Sequence, residues 1–271
     1  MNNSIERLRP GRTGAFRYAV LDFDGTLSLI RQGWQEIMTP YFTDELCDTP
    51  LGREKPRAEL ENLAKEFITQ LTGKQTIYQC IALAEEVERL GGRSRDPQAY
   101  KDEYTRRLLE RIDGRLKGLE SGEIEAERLT VPGSYDLLEM LLRHGVTPYL
   151  ASGTDEEHVK REARLLGVDR YFGEHIYGAQ RAYRTFSKKL VIERIIRENG
   201  LSGEELLGFG DGYVEIENVR EAGGYAVGVA SDEAHRAGID EWKRERLARA
   251  GANIIIADYR DLPALEAELF G

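Results

Sequence analysis

The sequence predicts an α/β protein: a doubly wound, Rossmann-like parallel sheet core with an all-α segment inserted after its first strand. Three observations predict it. Short, unbroken apolar runs recur along the chain, as expected of strands buried on both faces. Over the C-terminal half these runs alternate with stretches of helical periodicity. Residues 29–128, by contrast, show helical periodicity and no strand-like run.

The first apolar run, Tyr18-Ala19-Val20-Leu21, leads directly into Asp22-Phe23-Asp24-Gly25. Further runs fall at 146–151, 206–209, 225–229 and 253–257. Helices are expected between them, at 134–144, 155–166, 187–199, 213–222 and 239–250. Inside the inserted segment the helical stretches are 34–42, 57–71, 76–90 and 98–116, separated by Gly52, Pro56, Gly73, Gly91-Gly92 and Asp96-Pro97. Val131-Pro132-Gly133 marks the return to the core. The expected division is therefore 1–28 with 129–271 for the core and 29–128 for the insert. Residues 1–17 have several arginines but no apolar stretch behind them, so they read as a short tail and not a signal peptide.

The chain has 271 residues, 41% of them hydrophobic and 32% charged, which suits a water-soluble globule. No apolar run approaches the length of a membrane span, and a cytoplasmic protein is expected. A formal net charge of −10 argues against nucleic acid or an anionic membrane as partner, because the mean field repels both. That field also repels a phosphorylated ligand, so any phosphate site must be locally positive. Cys47 and Cys80 form no CxxC pair and are expected as free thiols.

Four short segments carry the chemistry. The first is Leu21-Asp22-Phe23-Asp24-Gly25-Thr26-Leu27, at the carboxyl end of the first strand, where open α/β sheets bind ligands. Crowded carboxylates there are costly unless a cation or a shared proton compensates; solvated turn aspartates are the plainer alternative. The second is Ala151-Ser152-Gly153-Thr154, a strand running through small residues into a helix. A hydroxyl with free N–H groups at a helix start can cradle phosphate, or can merely cap the helix. The third is Ser187-Lys188-Lys189, where cations oppose the helix macrodipole and a nearby anion would account for them. The fourth is Gly208-Phe209-Gly210-Asp211-Gly212-Tyr213-Val214-Glu215. Tyr213 stands where a dinucleotide motif needs its last glycine, whereas Asp211 and Glu215 suit a hard cation.

In this order and spacing the four segments resemble the haloacid dehalogenase superfamily, in its phosphatase branch with a small helical cap. The resemblance covers the sheet core at both ends of the chain, and the helical insert fits the cap. It implies a phosphomonoester hydrolase acting on a small phosphorylated metabolite, with sugar or polyol phosphates the class considered. Asp22 would be the nucleophile, forming an aspartyl-phosphate, and Asp24 the acid and later the base. Thr26, Ser152 and Gly153 would bind the phosphate, with Lys188 neutralising charge in preference to Lys189. Mg²⁺ would be held by Asp22, the Asp24 carbonyl, Asp211 and water. Glu215 replaces the family's usual second aspartate, which leaves direct or water-mediated ligation open. A sugar phosphomutase of the same superfamily, or a non-catalytic phosphate-binding module, is the alternative. Substrate choice is expected in the cap, where Lys74, Arg53, Lys55 and Arg57 are the basic candidates.

Overall fold

The computed structural model describes residues 4–180 and 187–271. Its strands are β1 (Ile5–Arg7), β2 (Tyr18–Leu21), β3 (Thr147–Asp155), β4 (Ile176–Ala179), β5 (Leu206–Gly210), β6 (Tyr225–Val229) and β7 (Ile254–Ile256). They form one seven-stranded sheet in the order β1-β7-β6-β5-β2-β3-β4. Every pairing is parallel except β1 on β7.

The helices are α1 (Gln35–Cys47), α2 (Arg57–Leu71), α3 (Thr76–Arg89), α4 (Pro97–Ser121), α5 (Ser134–Arg143), α6 (Glu156–Leu165), α7 (Asp169–Phe172), α8 (Lys188–Asn199), α9 (Tyr213–Glu221), α10 (Glu241–Ala250) and α11 (Leu262–Phe270). The chain divides into two compact units, Met1–Gln32 with Arg115–Gly271, and Gly33–Gly114. In the second, α1, α2 and α3 pack on one another and bury Phe42, Leu46, Leu60, Ile68, Leu83 and Val87. Helix α4 begins in that unit and ends in the first.

Alternation of side chains along each strand gives the sheet two apolar faces. Val20, Leu206, Ala226 and Ile255 pack on one face with Val191 and Ile195 of α8, Ile216 and Val219 of α9 and Leu247 of α10. Their neighbours Leu21, Leu207, Phe209 and Val227 are fully buried and point the other way. Helix α5 packs on β3 and α11, and none of its residues joins the cluster on the first face. The core is therefore doubly wound.

Two strands were not expected. Residues 5–7, read as part of a tail, form the antiparallel edge strand β1, where Ile5 is buried and Glu6 and Arg7 face outward. β4 is short, and its Ile-Tyr-Gly-Ala sequence offers little apolar length. Cys47 and Cys80 are free thiols, and burial pushes the Cys80 thiol up to about 12.

The strand order reverses at β2, which lies between β3 and β5, so a crevice opens beyond the carboxyl end of β2. Close packing supports it. A Cβ on Gly208 of β5 would fall 2.3 Å from Val219 Cγ2. Gly208→Ala should cost about 1–3 kcal/mol through overpacking, read as a lower denaturation midpoint at unchanged slope. An unchanged midpoint would contradict this packing.

Candidate active site

β2 delivers Asp22 into the crevice, and the Asp22 N–H donates to Phe209 O of β5 at 3.0 Å. The chain then turns tightly: the Phe23 carbonyl accepts from the N–H groups of Thr26, Leu27 and Ser28. Gly25 adopts a left-handed φ of 75°. A Cβ there would fall 2.2 Å from Asp211 Oδ2, so glycine is required for both conformation and space.

Asp22 is 6% exposed. Its Oδ1 accepts from Phe23 N at 2.8 Å and lies 2.8 Å from Lys188 Nζ. Burial raises its pKa; Lys188 offsets that, and the charge of Asp211 adds to it. Lys188 is the first residue of α8, after Ser187, whose hydroxyl caps the helix by accepting from Leu190 N. Lys188 also pairs with Glu215 Oε1, and all three side chains are buried. Lys189 points elsewhere, to Glu221 on the surface.

The side chain of Asp24 is 28% exposed. Oδ2 accepts from the Thr154 hydroxyl at 2.9 Å and the Ser152 hydroxyl at 3.4 Å. Oδ1 is buried with no hydrogen-bond partner, 3.9 Å from Arg31 Nε. Arg31 itself is clamped by both oxygens of Glu162 on α6, at 2.7–3.2 Å. Burial pushes Asp24 up to about 7; Arg31 opposes this, while Glu162 and Asp22 reinforce it.

Asp211, in the loop after β5, donates its N–H to Thr26 Oγ1 at 3.0 Å. Its Oδ2 lies 2.9 Å from Lys243 Nζ, which also contacts Glu233 Oε1 at 2.6 Å. Thr26 is fully buried, with its carbonyl accepting from Tyr259 Oη at 2.9 Å. Gly153 follows the buried Ser152 and is partly exposed.

The fold thus brings Asp22, Asp24, Ser152, Lys188, Asp211 and Glu215 to one crevice from distant parts of the chain. Sequence reasoning assigned no site role to Thr154, Arg31, Glu162, Glu233 or Lys243. Thr154 ends the Ala151-Ser152-Gly153-Thr154 segment, where its hydroxyl is visible in the sequence beside Ser152. The others sit on exposed-looking helical or loop sequence whose burial only the tertiary fold reveals.

Among the described residues no three acidic, histidine or cysteine side chains form a cluster that could hold a metal ion. The expected donor set is smaller: two carboxylates, Asp22 and Asp211, with the Asp24 carbonyl and water. Asp211 is near enough for its charge to raise the Asp22 pKa, and Glu215 Oε2 is a buried carboxylate oxygen without a partner. Such an oxygen-only, anionic set fits a hard divalent cation such as Mg²⁺.

The fold is a doubly wound sheet with a crevice at its switch point, lined by buried carboxylates and a lysine. Residues 16–223 match the family of haloacid dehalogenase-like hydrolases, and the chain belongs to that family. No curated protein sequence matches the chain. Similar solved structures include a predicted phosphoglycolate phosphatase from Haemophilus somnus (TM-score 0.58, 16% identity, covering 93% of this chain and 98% of that one). A predicted phosphatase from Clostridium acetobutylicum is also similar (0.57, 18%, 94% and 100%). So is a β-phosphoglucomutase from Clostridium difficile (0.53, 13%, 86% and 98%). At these identities the likeness is one of fold.

The raised Asp24 pKa has a consequence for stability. An unfolded aspartate titrates near about 3.9, the folded one about 7, so between these values the folded state binds the extra proton. Stability from this group therefore falls as pH rises through that window. In chelator, Asp24→Asn should melt close to wild type at pH 4 and progressively above it up to pH 8. A pH-independent difference would contradict the burial of this carboxyl.

Proposed function

We propose that the protein is a Mg²⁺-dependent phosphatase that hydrolyses a small phosphate monoester through an aspartyl-phosphate on Asp22. One observation carries this reading: Asp22 is buried against Lys188 at 2.8 Å, beside an Asp24 whose Oδ1 has no partner. A carboxylate and a phosphate repel each other, so the approach needs positive charge and a dry site.

Lys188 supplies part of that charge. With Oδ1 of Asp22 engaged, Oδ2 attacks phosphorus, forming the P–O bond to Asp22 as the bond to the leaving oxygen breaks. Thr154 and Ser152 donate to Asp24 Oδ2. Neutral Asp24 passes its proton to the leaving oxygen. Asp24, now ionised, takes a proton from an incoming water as that water attacks phosphorus, releasing phosphate and regenerating Asp22. Ser152 and the Gly153 N–H hold the phosphoryl oxygens. Held by Asp22, Asp211 and the Asp24 carbonyl, a bound Mg²⁺ would neutralise the phosphoryl charge.

The segment 29–128 belongs to the same reading as the cap domain that confers substrate choice. A cytoplasmic location and a monoester metabolite as partner complete it. No helix among the described residues is long and apolar enough to cross a membrane.

Asp22→Asn should lower phosphate release from a monoester panel by roughly three orders of magnitude or more, while melting within a few degrees of wild type. Chelation should stop turnover and added Mg²⁺ restore it. Retained activity in the variant would remove Asp22 as nucleophile.

A further inference from the structure

Behind the crevice lies a second lysine that the proposed reaction does not use. Lys243, on α10, is 7% exposed. Its Nζ lies 2.9 Å from Asp211 Oδ2, 2.6 Å from Glu233 Oε1 and 3.4 Å from Ser231 Oγ. The cluster is built into the catalytic loop: Ser231 donates to Gly25 O at 2.7 Å, and a Cβ on Gly25 would come within 3.0 Å of Glu233 Oε1. Two carboxylates, Asp211 and Glu233, thus face the Lys243 ammonium. The buried Lys243 and the partly exposed Glu233 form a pair whose positive end touches one oxygen of Asp211.

We propose that Lys243 is a built-in counter-ion of Asp211 and that, with Glu233, it sets how tightly the site takes a divalent cation. This rests on Asp211 being a cation donor, as read above. An ammonium beside a donor carboxylate weakens the pull of that carboxylate on a second cation, and Glu233 partly cancels the ammonium. The two residues therefore act with opposite sign.

Calorimetric titration with Mg²⁺ alone, without substrate, tests this. Lys243→Met should lower the Kd for Mg²⁺ at least about tenfold, and Glu233→Gln should raise it by a similar factor. A role confined to packing or loop order predicts weaker binding in both variants, and that result, or unchanged binding in either, overturns the proposal. If Lys243→Met does not fold, Lys243→Gln takes its place, and weaker or equal binding in that variant overturns the proposal. Asp211→Asn is the control for the underlying reading. If wild type and Asp211→Asn bind Mg²⁺ equally, Asp211 is not a donor and the proposal falls with that assignment. If only wild type binds, the outcome belongs to Lys243 and Glu233.

Discussion

Asp22, Asp24, Asp211, Glu215 and Glu233 are gathered at the carboxyl ends of β2, β5 and β6, in a protein that is already acidic. Like charges in a buried crevice repel one another and lose hydration, and the rest of the site is organised around that constraint. Lys188 answers it on one side by pairing with Asp22 and Glu215, and Lys243 on the other by pairing with Asp211 and Glu233. Asp24 has no lysine. It rests on the hydroxyls of Thr154 and Ser152, near a guanidinium already committed to Glu162, and its pKa rises to about 7. Asp24 is thus a carboxyl suited to carry a proton near neutral pH.

Backbone geometry makes this crowding possible. Gly25 lets the chain turn back over the end of β2 while leaving room for the Asp211 carboxylate. Thr26 ties the two loops together, accepting from Asp211 N through its hydroxyl and from Tyr259 through its carbonyl. A helix N-terminus is an unfavourable place for Lys188 in isolation, and the adjoining carboxylates reverse the balance. Local disfavour of this kind is expected where a site is built at the expense of local preference.

Much of this architecture is legible in the chain. The runs that became β2, β3, β5, β6 and β7 are unbroken and apolar because both their faces are buried, and such runs stand out in any window. β1 is invisible for the opposite reason: of Ile5, Glu6 and Arg7 only one side chain is buried, and its partner strand β7 lies at the far end of the chain, Ile5 pairing with Ile256. Asp22, Asp24 and Asp211 stand out in the sequence because they sit in or beside short glycine-containing segments at strand ends. Lys243 and Glu162 lie within charged, amphipathic helices, where a lysine or glutamate ordinarily faces water; only the packing of α10 and α6 turns them inward. Arg31 reads as a loop cation until Glu162 claims it. Local patterning thus locates the reacting groups, while the groups that balance their charge are set by tertiary contacts.

The central claim is that burial and neighbouring cations turn a strand-end carboxylate into a nucleophile toward phosphorus. Rapid acid quench during turnover of a phosphate monoester, followed by mass spectrometry of the digested protein, tests it most directly. The account predicts a transient phosphoryl group on the peptide containing Asp22, appearing within the first turnover and lost on chase. Sustained turnover with that peptide unmodified, or with the phosphoryl group on another residue, would contradict it.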